Sequence, residues 1–94
     1  MLEFDANNLE ELETEALARA HEVSVCVVRG VIKALENNVD KVVIGILKSV
    51  DLDLSIEKAG YLEGLETNLV RCEEAEEYEL CKEAIMWIKK LRQE

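Results

Sequence analysis

The sequence predicts a small all-α domain, a bundle of three to five helices whose first two form an αα-hairpin. The chain contains no proline and four glycines in 94 residues, so the residues that usually interrupt helices are rare. Its apolar residues are mostly Leu, Val, Ile and Ala, and they recur in steps of three and four along most of the chain. The length corresponds to one domain, residues 1–94.

The first helix is expected to begin near residue 9. Asn8 has the character of an N-cap, and Glu11 three positions later has the spacing of a capping box. The apolar stripe that follows has no breaking residue before Asn37: Leu9, Leu12, Ala16, Ala20, Val23, Val27, Val31 and Leu35. A second helical stripe follows: Val39, Val42, Val43, Ile46, Leu47 and Val50. A short connection at Asn37 and Asn38 predicts that these two helices are antiparallel neighbours.

Two segments carry a competing pattern. Residues 50–56, VDLDLSI, alternate apolar and polar positions as a half-buried strand does, and residues 23–28, VSVCVV, share part of that character. The alternative is therefore an α+β fold with short strands near 23–28 and 50–56. Because two isolated strands are only marginally stable, we expect a connector instead, in which one of three side chains caps the next helix: Asp51, Asp53 or Ser55.

The C-terminal half predicts further helices. One stripe contains Ala59, Leu62, Leu65, Leu69 and Cys72, and another contains Leu80, Cys81, Ala84, Ile85, Trp87, Ile88 and Leu91. The acidic segment between them, residues 73–79, is either a solvated turn of one long helix or a corner between two helices.

Several classes of protein are disfavoured. The chain has no run of about 18 apolar residues and no export signal, so we expect a cytoplasmic protein without a membrane span. Three cysteines without CxxC spacing are expected to be reduced and buried. His21 is the only histidine, and no serine or cysteine stands in a recognisable nucleophile motif. Glu-x-x-His does not occur, and no glycine-rich phosphate motif is present. We therefore expect no enzymatic activity, cofactor or metal.

The composition favours a non-enzymatic protein-interaction module, such as a cytosolic adaptor, inhibitor or assembly protein. We expect it to act by helix packing and homo-oligomerisation, most simply as a dimer, because its apolar stripes exceed what a small monomer readily covers. Tryptophan is enriched at binding hot spots, so the C-terminal stripe is the expected partner-binding surface: Leu80, Ile85, Trp87, Ile88 and Leu91.

Residues 17–35 resemble a helix-turn-helix motif. Leu17 and Ala18 match its first helix, and Val23 and Ser24 match its turn and N-cap. The packing positions of its second helix are occupied by Val27, Val28 and Ile32. The resemblance implies the alternative function, a small DNA-binding transcriptional regulator whose contacts are Arg19, Arg29 and Lys33.

DNA binding ranks second to protein interaction for two reasons, the residue at the turn and the net charge of the chain. The turn position usually taken by glycine is Glu22, and the formal net charge of −10 opposes binding to phosphates. The same charge leaves open a third class, an acidic protein that mimics nucleic acid.

Overall fold

The computed structural model describes residues 2–93 and shows an α+β fold, so the prediction of an all-α bundle is wrong. The described residues form four helices and a three-stranded sheet, and two single turns of 3-10 helix flank its last strand, at Lys48–Val50 and Lys58–Gly60. The elements in chain order are β1 Leu2–Phe4, α1 Leu9–Ala18, α2 Ala20–Glu36, β2 Lys41–Leu47, β3 Leu52–Glu57, α3 Tyr61–Glu74 and α4 Tyr78–Arg92.

The predicted N-terminal αα-hairpin does not form, because its second helix is strand β2. Nearly every residue of β2 is apolar, so steps of three and four occur there whatever the conformation. Four of its seven residues are β-branched, and such side chains pack better on a pleated strand than in a helix. The chain enters β2 through Asn38, which has a left-handed φ of 54°.

The expected connector at residues 50–56 is wrong, because Leu52–Glu57 form strand β3, as the α+β alternative proposed. The other strand of that alternative is absent, since residues 23–28 lie within α2. Two strands alone are only marginally stable, but this sheet has a third strand, β1, which stabilises it. The expected capping by Asp51, Asp53 or Ser55 is wrong, because Gly60 occupies the N-cap position of α3 and offers no side chain.

The first predicted helix is divided at Arg19. Asn8 caps α1 as predicted, since its Oδ1 accepts a hydrogen bond from the Glu11 amide at 2.9 Å. Arg19 then ends α1 and begins α2. Its guanidinium donates to the Glu3 carbonyl oxygen at 2.8 Å and lies 5.1 Å from the centre of the Phe4 ring. The break is therefore held by contacts with β1, which local periodicity does not reveal.

The sheet has the order β1-β2-β3, with β1 parallel to β2 and β2 antiparallel to β3. A larger core lies between α2, α3, α4 and the sheet, and its most buried members include Val28, Val31, Leu65, Cys72 and Ala84. A smaller core forms where β1 meets α1 and the end of β2: Leu2, Phe4, Ala6 and Leu47. The fold thus has two apolar centres, and the N-terminal residues build the smaller one.

The acidic segment 73–79 is a corner between two helices. Helix α3 ends at Glu74 and α4 begins at Tyr78, with Glu76 in a left-handed conformation at φ 61°. Among the two interpretations of this segment, the structure therefore supports the corner.

Candidate protein-interaction groove

An open groove of about 850 Å³ lies between one face of α2 and strand β2. Within residues 2–93, β1 pairs with Gly45–Leu47 of β2. In the part of the chain that the structure describes, no strand pairs with the same edge of residues 41–44. The groove therefore continues the position of β1 along the sheet, with α2 as its wall.

The floor of the groove is apolar, and α2 approaches β2 closely at Gly30. A Cβ atom built on Gly30 would lie 3.5 Å from the Cγ2 atoms of Val42 and Ile44. Val25 and Cys26 extend this apolar floor along α2, and the Cys26 thiol donates to the Ile44 carbonyl oxygen at 3.5 Å. An incoming segment would therefore meet both apolar side chains and strand backbone.

Positive charge is concentrated on this groove, although the protein is acidic. Arg29, Lys33 and Lys41 line it. Arg29 has a loose ion pair with Glu77 at 3.8 Å, whereas neither lysine has an ion pair within residues 2–93. The other groove acid, Glu22, is held by Arg19 at 2.7 Å. The two lysines are thus available to an anionic ligand.

The three residues of the predicted DNA-binding set are separated by the structure. Arg29 and Lys33 share the exposed face of α2 that lines the groove. Arg19 is engaged elsewhere: its ion pair with Glu22 raises the pKa of the guanidinium and lowers that of the carboxyl. Helix α2 is continuous from Ala20 to Glu36, so residues 21–24 form no turn. DNA binding stays a prediction, and it now depends on the groove face alone.

The predicted partner-binding stripe on α4 is mostly occupied by the protein's own core. Ile88 is buried, and Leu80, Trp87 and Leu91 pack half-buried against the larger core. Lys90 covers the Trp87 ring at 4.8 Å. Ile85 is 40% exposed, so it is the member of the stripe most open to solvent. The use of this stripe by a partner stays a prediction.

Sequence reasoning missed the strand side of the groove. Lys41, Val42 and Ile44 were assigned to a helix, so their position opposite α2 was not expected. A signal was present in the β-branched run of residues 42–44, which favours a strand. The pairing of β1 with β2 joins residues more than forty positions apart, so no local pattern indicates it or the position of the groove beside it.

The three free cysteines differ in their surroundings. Cys72 and Cys81 are buried between α3 and α4, and burial raises the pKa of both thiols, to about 11 for Cys72. Cys26 is half-buried on the groove. Only a thiolate reacts quickly with disulfide reagents. We therefore predict that one thiol, Cys26, reacts under native conditions at mildly alkaline pH.

This prediction is checked by mass spectrometry of peptides after brief labelling with an aromatic disulfide reagent. The Cys26→Ser variant should lose the fast reaction, and denaturant should make the other two thiols reactive. Fast labelling of Cys72 in the folded protein would contradict the buried position of its thiol.

No protein-family model, no characterised protein and no solved structure gives a significant match to this chain. Within the described range, no three side chains of His, Cys, Asp or Glu are placed together to hold a metal ion. None of the helices between residues 2 and 93 combines the length and apolar character needed to cross a membrane.

Proposed function

We propose that this protein is a non-enzymatic protein-interaction module whose groove between α2 and β2 binds an extended, acidic and partly apolar segment of a protein. The observation that carries the proposal concerns residues 2–93: no strand among them pairs with this edge of residues 41–44, and none of them forms an ion pair with Lys33 or Lys41 beside it. A cytoplasmic location belongs to the same proposal, and the three free cysteines favour a reducing compartment.

The open edge favours an extended ligand. Backbone N–H and C=O groups at a sheet edge are ready to pair with another strand, and added strands are a recurrent mode of peptide recognition. Helix α2 has 17 residues and is therefore about 25 Å long, enough to accompany a strand of several residues. The apolar floor at Val42 and Ile44 would bind alternate side chains of that strand.

The charge of the groove favours an acidic ligand. Neither Lys33 nor Lys41 forms an ion pair within residues 2–93, so an anionic side chain of a ligand can pair with either lysine. Long-range attraction also brings an acidic segment to this part of the surface, although the remaining surface repels it. The lysines therefore select the ligand, and the apolar floor and strand edge supply the contact area.

The proposal is tested with two short capped peptides, one alternating Val and Glu and the other alternating Val and Lys. We expect the acidic peptide to bind about tenfold more tightly, a difference of ~1.4 kcal/mol in binding free energy. Fluorescence anisotropy measures the binding, and slower labelling of Cys26 by the disulfide reagent reports occupation of the groove. The double variant Arg29→Ala, Lys33→Ala should remove most of the preference.

The matched control is Lys82→Ala with Lys89→Ala, which removes the same charge from the exposed face of α4. The control should retain the preference of the unaltered protein. Equal binding of the two peptides, or acidic-peptide binding that leaves Cys26 labelling unchanged, would overturn the proposal.

One observation favours DNA binding as a second candidate function: Arg29, Lys33 and Lys41 lie together on one exposed surface. Such a surface could contact phosphates of the duplex backbone. If it does, the affinity for duplex DNA must fall steeply with salt, with a logarithmic slope of roughly −0.9 for each phosphate contacted. Micromolar, salt-sensitive duplex binding that Arg29→Ala with Lys33→Ala abolishes would select this function over peptide binding.

A further inference from the structure

We propose that the segment bound in the groove is strand β3 of a second copy of this protein, so that the chains assemble head to tail. This inference rests on the proposed function, since it names the partner of the same groove.

Strand β3 is at one edge of the sheet, and no strand between residues 2 and 93 pairs with its outer side. It has six residues in alternating pattern and a length of about 20 Å. Leu54 and Ile56 are half-buried toward the helices, whereas Asp53, Ser55 and Glu57 are exposed on the other face. This strand therefore offers a partner an extended backbone edge and an acidic face, while its own cores hold Leu54 and Ile56.

Pairing of β3 with β3 of another copy is opposed by charge. An antiparallel pair centred on Ser55 places Asp53 of each copy opposite Glu57 of the other. Like charges directly opposite one another on neighbouring strands are destabilising. The acidic face of β3 thus disfavours a symmetric dimer through this edge and favours a basic surface as its partner.

The groove supplies that basic surface at the other side of the sheet. Strand β3 borders one side of β2, and the open edge of residues 41–44 belongs to the β1 side. A chain cannot place its own β3 in its own groove, but each chain can give β3 to one neighbour and accept β3 from another. Such a head-to-tail interface closes into a ring or extends into a filament.

The test is a pair of charge-reversed variants studied by sedimentation velocity at physiological salt. The groove variant carries Arg29→Glu and Lys33→Glu, and the strand variant carries Asp53→Lys and Ser55→Lys. Both variants leave Lys41 and its cross-strand neighbour Glu57 unchanged, so β2 and β3 keep their own pairing. We expect each variant alone to self-associate at least about tenfold more weakly than the unaltered protein, or ~1.4 kcal/mol.

An equal mixture of the two variants should recover association. The acidic groove of the groove variant then binds the basic β3 of the strand variant. The basic groove of the strand variant likewise binds the acidic β3 of the groove variant. The controls change the same kind of charge on exposed helix faces: Lys82→Glu with Lys89→Glu, and Glu73→Lys with Glu83→Lys. Both controls should associate like the unaltered protein, because net charge alone does not form the interface.

The outcomes separate this inference from the proposed function. Assembly of the unaltered protein with recovery in the mixture supports both. A protein that stays monomeric at high concentration, yet binds the alternating Val and Glu peptide in its groove, overturns the inference and leaves the proposed function standing. Self-association that neither variant weakens, or that both controls weaken equally, also overturns the inference.

Discussion

Replacement of Leu65 with alanine is expected to lower the free energy of unfolding by about 2–5 kcal/mol. Leu65 lies on α3 with 0% of its surface exposed, at the centre of the larger core. Its truncation removes buried apolar contact and leaves a cavity that the tightly packed helices α2 and α3 cannot fill. A domain of this size is stabilised by roughly 5–15 kcal/mol in total, so the variant should be close to unfolding.

The measurement is urea denaturation followed by circular dichroism, with Leu17→Ala as the matched control. Leu17 is the same residue type in a helix, but 73% of its surface is exposed. Its replacement should change the free energy of unfolding by no more than about 0.5 kcal/mol. Equal effects of the two substitutions would contradict the position of the larger core.

Replacement of Gly45 with valine is expected to displace β1 from the sheet and to lower the free energy of unfolding by about 1–3 kcal/mol. A Cβ atom at Gly45 would lie 3.1 Å from the Leu2 carbonyl oxygen and 3.2 Å from the Leu2 Cβ atom. Backbone at this distance cannot yield as the end of a flexible side chain can. Because Leu2 and Phe4 form much of the smaller core, α1 should loosen together with β1.

Hydrogen exchange measured by mass spectrometry checks this expectation. Amides of residues 2–18 should exchange faster in the Gly45→Val variant, while those of α3 retain their protection. The control is Gly64→Ala in α3, where the added Cβ would lie 3.6 Å from Val27, an ordinary contact. Alanine is preferred to glycine in a helix interior, so the control should be more stable by about 0.5–1 kcal/mol. Faster exchange spread evenly over the Gly45→Val protein would show that the two cores do not separate.

Helix-forming segments with a clear apolar period were predictable from the sequence. The stripes of residues 59–72 and 80–91 correspond to α3 and α4, and the cap at Asn8 is where its spacing with Glu11 predicts it. These features depend on contacts within three or four residues, which a local pattern records. The functional prediction was limited for the same reason, because a groove consists of residues distant in sequence.

The sequence by itself determined the apolar periods of the helical segments, the alternation of residues 50–56 and the negative net charge. Tertiary structure decided between helix and strand for residues 41–47, whose sequence carries signals of both. It also decided that Arg19 divides the first helix and that Lys33 and Lys41 line one groove. The physical reason is pairing between distant segments. Strand β2 is stabilised by β1 and β3, and the Arg19 break by the Glu3 carbonyl oxygen and the Phe4 ring. These contacts form only when the chain has folded, so no local sequence pattern records their contribution to stability.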